Sequence, residues 1–221
     1  MTLRIAVLAS GRGSNLRALL EARDRGELDA QFVGLFSDKP ESGAVRTARE
    51  HGIPVVAAKP RDFASRAEHD EFLFSRIEAV QPDLIVCAGY MRLISEAAVR
   101  RTTGRMINIH PSLLPNYPGL DTHARALAAG DGEHGASVHV VIPELDAGPV
   151  LAQVRVPVLA GDNADTLAQR VLAREHALLV ETVKAIADGR LRLGADVIGY
   201  RDAALSAPLR LNSVDRLEES H

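Results

Sequence analysis

Short apolar runs alternate along this chain with segments in which apolar residues recur at helical spacing. Such runs are typical of strands buried on both faces, and such segments of helices that cover a sheet. The predicted strands lie at residues 3–10, 31–36, 55–57, 84–88, 106–110, 136–141 and 151–156. The predicted helices lie at residues 16–22, 43–50, 68–80, 123–129 and 166–187. This alternation predicts an α/β fold with a doubly wound, mostly parallel sheet.

The C-terminal third departs from the alternation. Only a tight loop separates strands 136–141 and 151–156, so we expect them to form an antiparallel pair. Leu191–Leu193 is predicted as an edge strand, and the pattern weakens beyond Ala195. We therefore expect one domain over residues 1–195 and a C-terminal extension, residues 196–221, that is partly irregular or disordered.

Composition and charge narrow the class of protein. A formal net charge of -3, with no cluster of basic and aromatic residues, argues against a nucleic-acid partner. No apolar run approaches the ~20 residues of a membrane span, and no signal peptide is recognisable, so we expect a cytoplasmic protein without a membrane partner. The lone Cys87 lies in an apolar run and is expected to pack as a small apolar residue. A homodimer is possible, because the sequence does not determine the oligomeric state.

A glycine loop follows the first predicted strand. Gly11-Arg12-Gly13-Ser14-Asn15 leads into a helix, and the unpaired N–H groups of a helix N-terminus bind anions. The loop therefore predicts a phosphate site, although Ser14 and Asn15 could merely cap the helix. As a dinucleotide fingerprint it is incomplete: Leu16 occupies the position of the third glycine, while Asp38 follows at the distance of a ribose-binding acid.

A second candidate site lies at the end of strand 106–110. Asn108 and His110 are two residues apart, so both side chains point to one face of the strand. A neutral amide donor beside an imidazole can hold a developing oxyanion, which suits acyl or formyl transfer to an amine. The alternative is a core strand in which the asparagine caps a turn and the histidine binds a carbonyl.

Two motifs carry a resemblance to a known family. Asn108–Pro115 and Glu144–Val150 resemble the signature and the acid-bearing loop of the formyltransferases that use 10-formyltetrahydrofolate. The likeness runs from about Arg4 to about Arg192, with the motifs in the expected order. It implies a Rossmann-like formyltransferase fold with folate as co-substrate. Within the family, the chain most resembles the branch that formylates glycinamide ribonucleotide in de novo purine biosynthesis.

The resemblance also implies roles for individual residues. The implied catalytic residues are Asn108, His110, which Asp146 would hold protonated, and Asp146 itself. The implied phosphate and ribose ligands are Gly13, Ser14, Asn15 and Glu175. The implied folate ligands are Arg66, Met91, Arg92, Leu93, Ile94, Asn108 and Val141. Each also has an ordinary explanation: a solvated charge for Arg66, an apolar turn for 91–94, core packing for Val141 and an exposed helix position for Glu175.

Several features limit or compete with this reading. No metal is expected, since His134 and His139 are five residues apart and no zinc motif is present. Asp121 occupies a position where many relatives carry histidine. Formyltetrahydrofolate hydrolase and methionyl-tRNA formyltransferase are alternatives within the family, but both usually carry an extra domain. Two alternatives come from other classes of protein. A nicotinamide-binding oxidoreductase would leave the Asn108 and His110 pair without an explanation. A non-catalytic nucleotide-binding module would not use that pair.

Overall fold

The computed structural model describes residues 2–194 and 197–220 of the chain. Their contacts form two compact units, the first ending at Asn108 and the second beginning at Ile109. Within these described ranges, no helix combines the length and the apolar character that crossing a membrane requires.

The first unit is built on a parallel sheet. Its strands are β1 (Leu3–Leu8), β2 (Ala30–Ser37), β3 (Val55–Ala57), β4 (Leu84–Cys87) and the first three residues of β5 (Met106–His110). They are ordered β3-β2-β1-β4-β5, and every neighbouring pair is parallel. This is the order of a doubly wound sheet, so right-handed crossovers place helices on both faces. The predicted fold class is confirmed.

The helices of the first unit are α1 (Ser14–Asp24), α2 (Gly43–Glu50), α3 (Arg66–Ala79) and α4 (Glu96–Arg101). Helix α3 begins at Arg66, two residues before the predicted start at residue 68. The reason is a cap: Ser65 Oγ accepts a hydrogen bond from the Glu68 N–H at 3.1 Å. The sequence pattern also missed α4 and a short 3-10 turn at Pro60–Asp62.

The strand order reverses between β1 and β4, the position at which open α/β sheets bind ligands. The chain segments that follow these two strands meet there. The Ser10 N–H donates to the Gly89 carbonyl at 3.0 Å, and Ser10 Oγ accepts the Met91 N–H at 3.0 Å. One serine therefore joins the glycine loop to the segment expected to line the folate.

The second unit contains mixed strand pairs and the longest helix. The end of β5 leads to α5 (Thr122–Ala129), β6 (Glu133–Val140), β7 (Val150–Pro157) and α6 (Ala164–Ala187). Strands β6 and β7 are antiparallel, as their tight connection predicted. Helix α6 begins two residues before the predicted start because Asn163 caps it, accepting the Thr166 N–H at 3.0 Å.

The C-terminal part holds more strand than the sequence pattern indicated. Its strands are β8 (Leu191–Arg192), β9 (Gly199–Tyr200), β10 (Ala203–Ala204), β11 (Leu209–Leu211) and β12 (Leu217–Glu218). The first three form a small antiparallel sheet, in which β8 is an edge strand. Strand β11 pairs parallel to β7 and antiparallel to β12, and Leu209, Leu211 and Leu217 are buried there. Tertiary pairing thus orders a segment that is too polar to be predicted as strand.

Each unit has an apolar core. In the first, Ile5, Leu8, Leu16, Leu19 and Ile85 are almost fully buried between sheet and helices. In the second, Val138, Leu151, Leu167 and Leu178 are equally buried. Burial raises the pKa of the Cys87 thiol to about 12, so it packs as an inert apolar group, as predicted.

Candidate active site

His110, the last residue of β5, lies beside the carboxylate of Asp146. Its Nδ1 is 3.5 Å from Asp146 Oδ2, and its Nε2 is 2.9 Å from the Tyr117 carbonyl oxygen. A carbonyl oxygen can only accept a hydrogen bond, so Nε2 carries a proton in this contact. Nδ1, facing the carboxylate, is therefore the position at which the ring gains or loses its second proton.

A second imidazole, that of His139, contacts the same carboxylate. His139 Nε2 is 3.5 Å from Asp146 Oδ1, and its Nδ1 is 3.0 Å from the Val140 carbonyl oxygen. The pairing of β6 with β7 shifts register at His139, and such bulges redirect side chains near functional sites. Sequence analysis placed His139 on the sheet without a chemical role. Its position just before the acid-bearing loop was the feature of the sequence that could have indicated its contact with Asp146.

The pKa of His110 lies below its ordinary value. Burial is the main cause, and it outweighs the hydrogen bond to the Tyr117 carbonyl and the negative charge of Asp146, which both act to raise the pKa. This direction is opposite to the one expected if Asp146 holds His110 protonated in the free protein. At neutral pH the ring is mainly neutral and able to accept a proton.

Asp146 is ionised in this setting. Burial acts to raise its pKa, but hydrogen bonds from His139 and from the Gly119 N–H, together with the nearby His110, outweigh burial and lower it. The Gly119 N–H donates to Asp146 Oδ2 at 2.8 Å. Asp146 also has a φ of 50°, a left-handed conformation that aspartate adopts more readily than most residues and that is concentrated at functional sites.

The proline-rich segment after His110 is held by a buried polar network. Ser137 Oγ, on β6, accepts the Leu114 N–H at 3.0 Å and donates to the Ser112 carbonyl at 2.7 Å. Gln153 Nε2, on β7, donates to the Leu114 carbonyl at 2.8 Å and to Ser137 Oγ at 3.0 Å. The sequence analysis missed Ser137 and Gln153. Both connect the segment that leads to Tyr117 to neighbouring strands.

Two further histidines lie near Tyr117. His134 Nε2 is 3.1 Å from His123 Nδ1, and burial lowers the pKa of His134 to about 4. Burial also lowers the pKa of His123. Asp121, the departure from the family pattern, is exposed at the N-cap of α5 without a side-chain capping bond among the described residues. Burial thus favours the neutral form of both His123 and His134.

The glycine loop has the geometry of an anion site. Gly13 is the N-cap of α1 with a φ of 83°, and among the described residues no side chain caps the helix. The alternative in which Ser14 and Asn15 are the caps is therefore wrong. A Cβ at Gly13 would lie 2.6 Å from the Ala44 Cα, so glycine is required by both conformation and space. A helix start without a side-chain cap is the kind of backbone site that binds anions.

Glu175 differs from the ordinary expectation for a helical glutamate. It lies on α6 with only 8% of its surface exposed. Buried glutamates are rare and are kept where they serve a partner.

Asn108 lies on β5 two residues before His110 and is half-buried.

The expected folate residues other than Asn108 occupy three separate segments. Met91, Arg92, Leu93 and Ile94 follow β4, Arg66 opens α3, and Val141 follows β6. Met91 and Leu93 expose 67% and 56% of their surface, which is unusual for large apolar side chains. Arg66 is exposed, and Val141 and Arg92 are half-buried. The roles of all six stay predictions. The described residues contain no group of His, Cys, Asp and Glu suited to a metal ion.

Comparison with known proteins places this fold and site in a class. A model of the formyl transferase family matches residues 3–183, and the chain belongs to that family. Phosphoribosylglycinamide formyltransferase of Escherichia coli (strain K12) is 44% identical over 191 residues, which cover 86% of this chain and 90% of that protein. The solved phosphoribosylglycinamide formyltransferase of Coxiella burnetii, in complex with CHES, superposes with a TM-score of 0.87 at 40% identity, covering 93% and 97% of the two chains.

A more distant relative represents the hydrolase alternative. The formyltetrahydrofolate deformylase of Burkholderia mallei superposes with a TM-score of 0.80 at 28% identity, covering 90% of this chain but only 70% of that one. The deformylase therefore has additional chain that this similarity does not include, and its identity to this protein is lower.

Proposed function

We propose that this protein transfers a formyl group from 10-formyltetrahydrofolate to the amino group of glycinamide ribonucleotide, a step of de novo purine biosynthesis. The observation that carries the proposal is the His110, Asp146 and His139 cluster in a chain of the formyl transferase family. The names of the relatives at 44% and 40% identity support the choice of acceptor.

His110 supplies the proton transfers. As the substrate amine attacks the formyl carbon, a C–N bond forms and the carbonyl electrons move to oxygen. Neutral His110 accepts the proton that the amine releases, and Asp146 stabilises the resulting imidazolium. The same proton then passes to N10 of the folate as the bond from N10 to the formyl carbon breaks. A pKa below the ordinary value keeps His110 ready for the first step at neutral pH.

Asn108 stabilises the oxyanion by donating a hydrogen bond to it. Its carboxamide is a neutral donor, two residues before the proton carrier on the same strand. Loss of one oxyanion donor typically lowers turnover by ~10²–10³, and a positioned acid or base contributes ~10²–10⁴. These two side chains, with alignment of the substrates, are sufficient to supply much of the acceleration.

Binding of the two substrates follows the family pattern. We assign the acceptor phosphate to the uncapped start of α1 at Gly13, Ser14 and Asn15, and the ribose to the buried Glu175. We assign the folate to Arg66, Met91–Ile94, Asn108 and Val141. A homodimer, a cytoplasmic location and the lack of a nucleic-acid partner stay predictions.

The proposal is tested by following loss of the formyl group from a 10-formyl folate by absorbance, with and without glycinamide ribonucleotide. We expect turnover only when the amine is present. His110→Ala is expected to lower turnover by ~10²–10⁴. His51→Ala is the matched control, since His51 is an exposed histidine at the end of α2, and its activity should stay within about twofold of wild type.

The outcomes separate the alternatives. Turnover of equal rate without the amine would identify a hydrolase. Full activity of His110→Ala would refute the assigned proton carrier, and NADH binding without folate turnover would identify an oxidoreductase.

A further inference from the structure

The first unit contains a cavity of about 900 Å³, and of the residues assigned to the proposed reaction only Arg92 lines it. It opens beside the chain segments that follow β1, β2 and β3, and Ser10 and Gly11 form part of its wall. Its cationic lining residues are Arg12, Lys39, Arg46, Lys59, Arg61 and Arg92. A volume of this size is sufficient for a ligand as large as a nucleotide.

The cavity is more basic than the chain as a whole. Six cations face two acidic residues, Asp38 and Glu41, although the whole chain has a net charge of -3. None of the six forms an ion pair with another residue that the structure describes. Arg12, Lys39, Arg46 and Arg61 are also exposed. Unpaired cations concentrated around one concave surface attract an anion.

Asp38 gives the cavity a feature that a simple anion site lacks. It directly follows β2, is only 5% exposed, and its Oδ1 is buried without a hydrogen-bond partner among the described residues. A buried acceptor without a donor costs free energy, so its retention calls for a ligand donor. An acidic side chain at the end of the second strand is where doubly wound folds bind ribose hydroxyls.

The combination selects a class of ligand. An uncharged hydroxyl donor is needed at Asp38, and negative charge is needed at the basic residues. Pro40 and Pro60 add apolar wall against which a planar base can pack. An inorganic anion satisfies only the cations, and the carboxylates of an acidic peptide are acceptors that offer Asp38 no hydroxyl donor.

We propose that this cavity is a second ligand site, which binds a ribonucleoside 5′-phosphate. Asp38 Oδ1 accepts a hydrogen bond from the ribose, and Arg12, Lys39 and Arg46 bind the phosphate. The site is separate from the one assigned to the acceptor phosphate, since Gly13, Ser14 and Asn15 do not line the cavity. It does not depend on the proposed formyl transfer.

The experiment is calorimetric titration of the full chain with AMP, 2′,3′-dideoxy-AMP, adenosine and inorganic phosphate. Saturable binding of one AMP per chain is expected. The dideoxy analogue and adenosine should each bind about tenfold or more weakly, since one lacks the hydroxyl donors and the other the charge. GMP and UMP should also bind, because no base-specific group defines the site.

Variants locate the ligand. Asp38→Asn should lower the preference for AMP over the dideoxy analogue about tenfold, because only AMP presents hydroxyls to this side chain, whereas loss of the charge acts on both ligands alike. Arg46→Gln should weaken AMP and the dideoxy analogue alike. Arg49→Gln is the matched control on the same helix, since Arg49 is exposed and does not line the cavity. The exposed positions of Arg46 and Arg49 make both variants safe for folding.

Three results would overturn the proposal. One is the lack of saturable AMP binding to the wild type. Another is AMP binding that Asp38→Asn and Arg46→Gln both leave intact. The third is displacement of AMP by glycinamide ribonucleotide with no effect of these variants, which would place AMP in the acceptor site. Stronger binding of a polyglutamylated folate that is lost in Arg46→Gln would instead assign the cavity to an acidic peptide tail.

Discussion

At the scale of single residues, the charge of Asp146 acts directly on the protonation of His110. It opposes the effect of burial, which lowers the His110 pKa. Asp146→Asn should therefore lower that pKa further. The acid limb of the kcat/KM profile should then move to lower pH. The plateau should fall by ~10²–10⁴, since the imidazolium loses its anionic partner. Rates measured from about pH 4.5 to pH 8 test both effects.

Glu144→Gln is the control for this substitution. Glu144 lies in the same loop and is exposed, and among the described residues its side chain forms no hydrogen bond or ion pair with the cluster. The substitution removes the same charge as Asp146→Asn. Its profile should match that of the wild type. An acid limb that stays in place in Asp146→Asn would show that His110 is not the group that titrates.

At the scale of elements, the segment after β5 depends on one hydroxyl of β6. Ser137 is fully buried, and its Oγ bonds both the Leu114 N–H and Gln153 Nε2. Ser137→Ala leaves the buried Leu114 N–H without this acceptor and removes one of the two acceptors of Gln153 Nε2. We expect a loss of about 1–3 kcal/mol of unfolding free energy, measured by urea denaturation, and a lower kcat because Tyr117 loses its support.

Ser206→Ala is the matched change at an exposed position whose side chain forms no hydrogen bond with the residues that the structure describes. Its unfolding free energy should stay within about 0.5 kcal/mol of the wild type. Equal stability of both variants would mean that the network adds nothing to the fold of the second unit.

At the scale of the whole molecule, buried histidines make the fold sensitive to acid. Burial lowers the pKa values of His110, His123 and His134, so the unfolded chain binds more protons than the folded one at pH values between the folded pKa and 6.5. Stability therefore falls as pH decreases through this window, and the loss is complete below the folded pKa values. The lowered pKa of Asp146 adds a further loss at lower pH.

His134 gives the largest expected contribution. Its pKa of about 4, against an ordinary 6.5, corresponds to at most about 3 kcal/mol lost by the time the pH is below 4. Urea denaturation from about pH 7 to pH 4 should show this slope, and His134→Gln should reduce it. A wild-type stability that does not change over this range would contradict burial of neutral histidine.

The chain by itself determined much of the fold. The bounds of α2, β3 and β5 agree with the prediction, because turn residues and apolar runs act locally. The Asn108 and His110 pair and the glycine loop were also visible, since their spacing on a strand or before a helix is a short-range property.

Only the tertiary structure decided the rest. Pairing with β7 makes β11 a strand, and a register shift against β7 brings His139 to Asp146, which lies seven residues later. The neutral state of His110 depends on how deeply it is buried, and the buried Oδ1 of Asp38 on what surrounds it. Local sequence carries periodicity and turn chemistry. Burial and charge environment are sums over residues distant along the chain, so they exist only after folding.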